Sequence, residues 1–239
     1  RRNGVPSVVK TPQRNDVPQK TNIDQAQRVL LQLGFKSLKI NNTKRDEIDE
    51  SIREVVTQAR VFADTFGVTF KNLDIAIEKA YTGNSASYSA GRNRVDIYGE
   101  GGDGLGHELA HWLDNISGKS LGALSRANTE NPVRAIASAM GNAKEFGAWK
   151  KTEGYDGNYL TDPTEMFARA IDQYLYLHNV EYKQSIDRST PSTDKRWKEY
   201  QGWVSEKEFQ ANISPLVEQL IAEKLLKYSR EPIGVQEYD

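Results

Sequence analysis

The sequence predicts an α+β domain, mostly helical, with a small mixed sheet made by its central strands. Three observations carry this. Ile48, Ile52, Val55, Val56, Ala59, Val61 and Phe62 recur at the spacing of one helix face, which predicts a long helix from about Lys44 to Thr65. Short alternating runs crowd the segment from Leu73 to Tyr98, which predicts strands. His107-Glu108-Leu109-Ala110-His111 lies in a third, strongly apolar helical pattern.

Arg1 to about Lys20 is polar, contains Pro6, Pro12 and Pro18, and has a local positive excess. It reads as a basic extended tail or linker whose cations could contact nucleic acid, a solvated linker being the simpler reading. Asp24 can cap a short helix through Gln32 that carries Ala26, Val29, Leu30 and Leu31. Phe35 to Ile40, bounded by Gly34 and Asn41-Asn42, reads as a short strand. Gly67 ends the long helix. Leu73 to Ile77 alternates as a strand does. Ser87-Tyr88-Ser89 and Val95 to Tyr98 flank Gly91-Arg92-Asn93 and read as a hairpin.

Glycines at 99, 101, 102, 104 and 106 then make a loop that feeds a strand into the motif helix. A phosphate-cradling loop is the rival, but no lysine-serine or lysine-threonine pair follows. The motif helix continues through Leu109, Trp112, Leu113 and Ile116, with Asp114-Asn115 and Gly118 marking its end. Asn131-Pro132 starts a helix to Met140. Gly154 to Asn158 is a polar loop. Asp162 or Thr161 can cap a further helix with Pro163 in its first turn and Met166, Phe167 and Ala170 on its apolar side. Lys183 to Trp203 reads as an exposed excursion. Ser214-Pro215 begins a last amphipathic helix through Leu216, Leu220, Ile221, Leu225 and Leu226. The organisation expected is a tail over 1–20, one domain over 21–230 and a C-terminal tail over 231–239.

Composition narrows the chemistry. The chain has 239 residues and a formal net charge of −1, so no bulk field argues for nucleic acid or an anionic membrane. No apolar run is long enough to cross a bilayer. There is no cysteine, which excludes disulfides, thiolate ligands and a cysteine nucleophile. The start at Arg1-Arg2 reads as a processed or excised piece of a larger parent polyprotein.

Histidines four residues apart lie one above the other on a helix, so His107 and His111 can grip one Zn2+ through their imidazole nitrogens. Glu108 between them can take a proton from a water that the metal activates. Glu165, in the first turn of its helix, is the candidate third ligand; its ordinary alternative is a carboxylate favoured by the helix dipole. Such a His2Glu set leaves a fourth position open, as catalytic zinc sites do. Tyr159, or less readily Tyr155, could stabilise an oxyanion. Asp114 could orient an imidazole, and Arg169 could brace the Glu165 carboxylate or a neighbouring acid. His178 lies in an aromatic run and reads as packing rather than as a ligand. The edge of the hairpin could receive an extended peptide by strand addition.

Gly106-His-Glu-Leu-Ala-His-Trp-Leu-Asp114, paired with Pro163-Thr-Glu-Met-Phe-Ala-Arg-Ala-Ile-Asp172, resembles the large polyvalent-protein-associated domain of type 1. That domain occurs in giant proteins of bacteriophages and conjugative elements. The upstream Gln32-Leu-Gly-Phe-Lys-Ser-Leu-Lys-Ile-Asn41 is similar to its opening segment, and the resemblance covers roughly Asp24 to Tyr176. The helix pair also resembles the peptidase domain of anthrax lethal factor, a zincin of the gluzincin type. The lethal-factor pattern has an acid where Arg169 stands, and its oxyanion tyrosine lies at a slightly different offset from that of Tyr159.

These resemblances imply a zincin-like metallopeptidase domain with zinc on His107, His111 and Glu165, and Glu108 as base. They imply a mobile-element protein, located in a bacterial host cytoplasm or in a virion and delivered with DNA. The expected partner is a protein or peptide substrate. Two rivals stand beside this: a non-catalytic metal-containing structural or binding module of a phage or plasmid particle, and a hydrolase of a non-peptide amide.

Overall fold

The computed structural model describes residues 23–41, 44–79, 86–99, 101–118, 122–144, 161–182 and 203–223. At its centre is a four-stranded mixed sheet of β1 (Ser37–Ile40), β2 (Asp74–Glu78), β3 (Ala86–Ser89) and β4 (Arg94–Tyr98). The strand order is β1-β2-β4-β3. β1, β2 and β4 run parallel, and β3 is antiparallel to β4 at one edge. Parallel neighbours need a crossover. Between β1 and β2 it is supplied by a 22-residue helix, α2 (Arg45–Phe66). α2 ends where the sequence says it should: Gly67 takes a left-handed φ of 62° and its N–H bonds Ala63 O.

Period-two burial sets the sheet's two faces. Ile75 and Ile77 of β2 pair with Val95 and Ile97 of β4, and all four are wholly buried. The opposite face carries Asp74, Glu78, Arg94 and Asp96. There Asp96 is buried but paired: Arg92 Nη2 lies 3.1 Å from its Oδ2, and Arg94 bonds both Asp96 and Glu78. β3 and β4 form the expected hairpin, closed by a short 3-10 turn over Ala90–Arg92 and by Asn93 at φ 45°.

Helices cover the apolar face. α1 (Ile23–Gln32) packs on α2 and β1, and α3 (Leu105–Gly118) packs on α2, β3 and β4. α4 (Pro132–Gly141) and α3 both lie against α5 (Pro163–His178). An aromatic chain pins these layers together. Phe35 stacks on Phe70 at 4.3 Å between ring centres, and Phe70 meets Trp112 of α3 at 5.2 Å. α6 (Glu206–Asn212) and α7 (Ser214–Ala222) complete the described elements. No described helix is long and apolar enough to cross a membrane.

Three details depart from the sequence expectation. Asp24, expected to cap α1, lies inside its first turn because the helix already begins at Ile23. A short helix, α6, precedes the last one; its Ser205 cap accepts from Glu208 N at 3.4 Å, but its largely polar residues give little periodicity. The end of the expected excursion, Trp203, packs on Tyr176 at 5.3 Å. The terminal tails, the 154–158 loop, most of Lys183 to Trp203, and Leu225 and Leu226 lie outside the described residues.

The glycine-rich loop before α3 is held by a polar stripe on α2. Ser51, Glu54 and Gln58 are buried at positions i, i+3 and i+7. Ser51 Oγ donates to Gly99 O, and Gln58 Oε1 accepts from Gly106 N at 2.7 Å. Gln58 thereby satisfies one of the orphan donors at the start of α3 from a different helix. Gly106 has a further reason to be glycine. A Cβ there would stand 1.8 Å from the Tyr182 hydroxyl oxygen and 2.6 Å from its Cζ. Gly106→Ala should therefore push the buried Tyr182 ring outward and cost about 1–3 kcal/mol, the scale of overpacking in a filled core. Thermal denaturation checks this: a melting temperature equal to the parent's would show that Tyr182 does not close on α3.

Candidate metal centre

The motif residues lie in α3 and Glu165 lies in the first turn of α5. The helices bring three donor groups together. His107 Nε2 and His111 Nε2 are 3.2 Å apart. His111 Nε2 lies 3.2 Å from Glu165 Oε1, and His107 Nε2 lies 3.4 Å from Glu165 Oε2. The imidazoles stand edge to face, with ring centres 4.8 Å apart. Among the described residues this is the group of His, Asp and Glu side chains suited to holding a metal ion.

The spacing can be tested against coordination geometry. An ion with bonds of about 2.0–2.1 Å to tetrahedral ligands sets those ligands about 3.3–3.4 Å apart. The 3.2 Å between the imidazole nitrogens and the 3.2 Å from His111 to Glu165 Oε1 are close to two such edges. The 3.4 Å from His107 runs to the other carboxylate oxygen, and with one donor atom from each residue the three lie within 4.8 Å of one another. Glu165 Oε2 is also buried with no hydrogen-bond partner. A buried carboxylate oxygen left so is costly, and a cation at the centre of the triad would satisfy it. The donor set therefore fits a metal ion.

The charges here are coupled. Burial alone would raise the Glu165 carboxyl, but its contacts with His107 and His111 outweigh this and hold it far below the usual carboxylate range. Burial alone would lower His107; Glu165 and Glu108 reverse that and raise it. Arg169, one turn beyond Glu165, places Nη2 3.8 Å from Glu165 Oε2.

Glu108 does not join the triad. Its Oε2 accepts a hydrogen bond from Tyr88 N, on the edge strand β3, at 2.7 Å. Asp114 is wholly buried and accepts from Ser125 N at 2.8 Å and Ser125 Oγ at 2.5 Å. Burial raises its carboxyl, while Ser125 and the charge of His111 pull it down. His178 is remote from the triad, stacked on Tyr174 at 4.3 Å with Nε2 3.3 Å from Ser214 Oγ. Tyr159 and Tyr155 lie outside the described residues.

A relay that the sequence reading missed sets the register between the two ligand helices. Asp114 near the end of α3 holds Ser125. The next residue, Arg126, makes a two-pronged contact with Asp162, through Nε at 3.2 Å and through Nη2. Asp162 caps α5, accepting from Thr164 N at 2.9 Å. Glu165 follows three residues on. Also missed was Asp172, seven residues beyond Glu165 on the same face of α5. It is buried and accepts from the Tyr182 hydroxyl at 2.5 Å. Burial pushes its carboxyl up against the pull of His107, Tyr182 and Arg169. The i+7 spacing from Glu165 was the available signal, but Tyr182 comes from beyond the helix.

No family model, no curated protein and no solved structure matches this chain.

The relay gives a stability prediction. Burial would raise Asp162, but Arg126 and Thr164 outweigh it and hold the carboxyl below its ordinary value of 3.8. A depressed folded value means that the contribution is fully present above about pH 3.8 and is lost as pH falls through the folded value. Asp162→Ala should cost about 0.5–2 kcal/mol at neutral pH, as expected for loss of an N-cap. Urea melts of the two chains should converge as the pH is lowered below that ordinary value. A gap that persists unchanged in acid would contradict the relay.

Proposed function

We propose that this chain is a zinc-dependent peptidase domain of the zincin type, with a gluzincin His2Glu site. The observation that carries the reading is the convergence of two imidazoles and one carboxylate from two helices, with one donor atom of each within 4.8 Å of the others. The ligand types narrow the ion. Two imidazoles and one carboxylate, without a thiolate, suit zinc in a site with an open fourth position. When bound, zinc supplies Lewis acidity toward a water and toward a carbonyl oxygen.

The chain's own groups do the rest. His107, His111 and Glu165 hold the ion, and the relay from Asp114 to Asp162 keeps their two helices in register. Arg169 places a positive charge behind Glu165 and offsets the cost of burying it. Glu108 lies between the histidines in sequence but is not one of the three donors, so it is left for the role of general base. It takes a proton from the attacking water and delivers it to the leaving amine. Among the described residues β3 is an edge strand beside this glutamate, and an extended polypeptide can add to such an edge. That favours a protein substrate over a small amide. The origin in a phage or other mobile element rests on the motif resemblance alone.

Two measurements test the reading. Elemental analysis of metal-replete protein should give about one zinc per chain, and His107→Ala/His111→Ala should bind none. Full occupancy in that double variant would remove the basis of the site. Glu108→Gln keeps size and hydrogen bonding but not basicity. It should retain zinc and fold, while cleavage of a peptide selected from a library should fall by on the order of a hundredfold or more. Cleavage at the parent rate would rule out Glu108 as the base.

A further inference from the structure

The edge strand and the candidate base are not independent. β3 is the outer strand beside β4, and the Tyr88 N–H donates to Glu108 Oε2 at 2.7 Å. An amide that bonds Glu108 is turned away from the ladder, so Tyr88 and Val95, which face each other across β3 and β4, form a non-hydrogen-bonded pair. That outward N–H is the donor an added strand needs. The Glu108 carboxylate stands where the carbonyl of an incoming peptide would stand. The two uses of the amide exclude each other.

We propose that Glu108 gates the β3 edge: in the ligand-free chain its carboxylate closes the Tyr88 amide, and an extended peptide takes that amide and releases Glu108 toward the ligand triad. This rests on the peptidase reading, and it adds a regulation to it. Glu108 acts on the site twice, in opposite senses. It assists the chemistry once peptide is bound, and it competes with the peptide before binding. Until an extended chain pairs with β3, the base is held on the sheet edge. A small amide without a backbone carbonyl to offer Tyr88 would not release it.

The test uses the full chain stripped of metal, so that neither form hydrolyses anything. Parent and Glu108→Ala are immobilised and offered the same mixture of random-sequence, unstructured peptides, and the retained peptide is measured by mass spectrometry. Glu108→Ala should retain about tenfold more, the scale of one charge-assisted hydrogen bond no longer competed for. Equal or weaker retention overturns the gate. Amide hydrogen exchange on the same two proteins gives a second readout without any peptide. The Tyr88 amide should exchange about tenfold faster in Glu108→Ala, with the Ile97 amide inside β4 unchanged. Equal exchange at Tyr88 also overturns it. If Ile97 shows that Glu108→Ala has not folded, Glu108→Gln takes its place, and both readouts should fall between parent and the full effect. Failure of the peptidase reading is separable. A zinc-loaded parent that cleaves none of the mixture speaks against hydrolysis, while the metal-free retention ratio still decides the gate.

Discussion

Three donor atoms on two separate helices must stay within about 3.4 Å of one another for a tetrahedral ion to sit among them. Much of the surrounding structure answers this constraint. Within α3 the helix itself sets the two histidines, because residues four apart share a face. No local rule sets Glu165 against them. That distance depends on how α3 and α5 slide and rotate past each other, and a shift of one ångström would spoil it. The Asp114–Ser125, Arg126–Asp162 chain fixes the slide at one end of the helix pair. Tyr182, folding back from beyond α5 to meet Asp172 and the space over Gly106, fixes it at the other.

Both ends use polar contacts, buried at Asp114–Ser125 and Tyr182–Asp172 and exposed at Arg126–Asp162, and this has a physical reason. Apolar packing is tolerant of small displacements, whereas a hydrogen bond loses most of its strength when distance or angle drifts. The aromatic chain from Phe35 through Phe70 to Trp112 brings α3 to the sheet with large area and low directional precision. The carboxylates then select one register. Gln58 does the same for the entry to α3, and the glycines at 102 and 106 let α2 and Tyr182 approach closely enough to do so.

What could be read from the sequence, and what could not, divides along this line. Helices α2, α3, α4 and α5 were visible because their apolar residues repeat and because Gly67, Asn131 and Asp162 punctuate them. Asn131 and Asp162 cap as the sequence indicates, accepting from Arg134 N and Thr164 N respectively. The hairpin was visible from its turn residues. His107, His111 and Glu165 were marked as partners because a spacing of four and a first-turn glutamate are local patterns, and the structure brings them together. The contacts of Ser125, Arg126, Gln58, Asp172 and Tyr182 were hidden because each is made across 10 to 48 residues. Ser125 and Arg126 lie in a short 3-10 turn, Leu124–Arg126, and such residues look like any others in a turn until the helix they touch is in place. The parallel pairing of β1 with β2 is non-local in the same way, since a long helix separates them.

The return of Tyr182 onto Gly106 has a consequence for how the centre comes into being. The ligands span His107 to Glu165, but the last contact that sets them lies at Tyr182, and the first, at Gln58, lies well before them. Every ligand is therefore present in the growing chain before the geometry that makes it a ligand. Long-range closure of this kind is slow and comes late in folding. An ion that needs all three donors at once gains its full affinity only for a chain already closed around it. Were an ion bound there, its occupancy would record completed folding, and it would act less as a nucleus for the domain than as its final rivet.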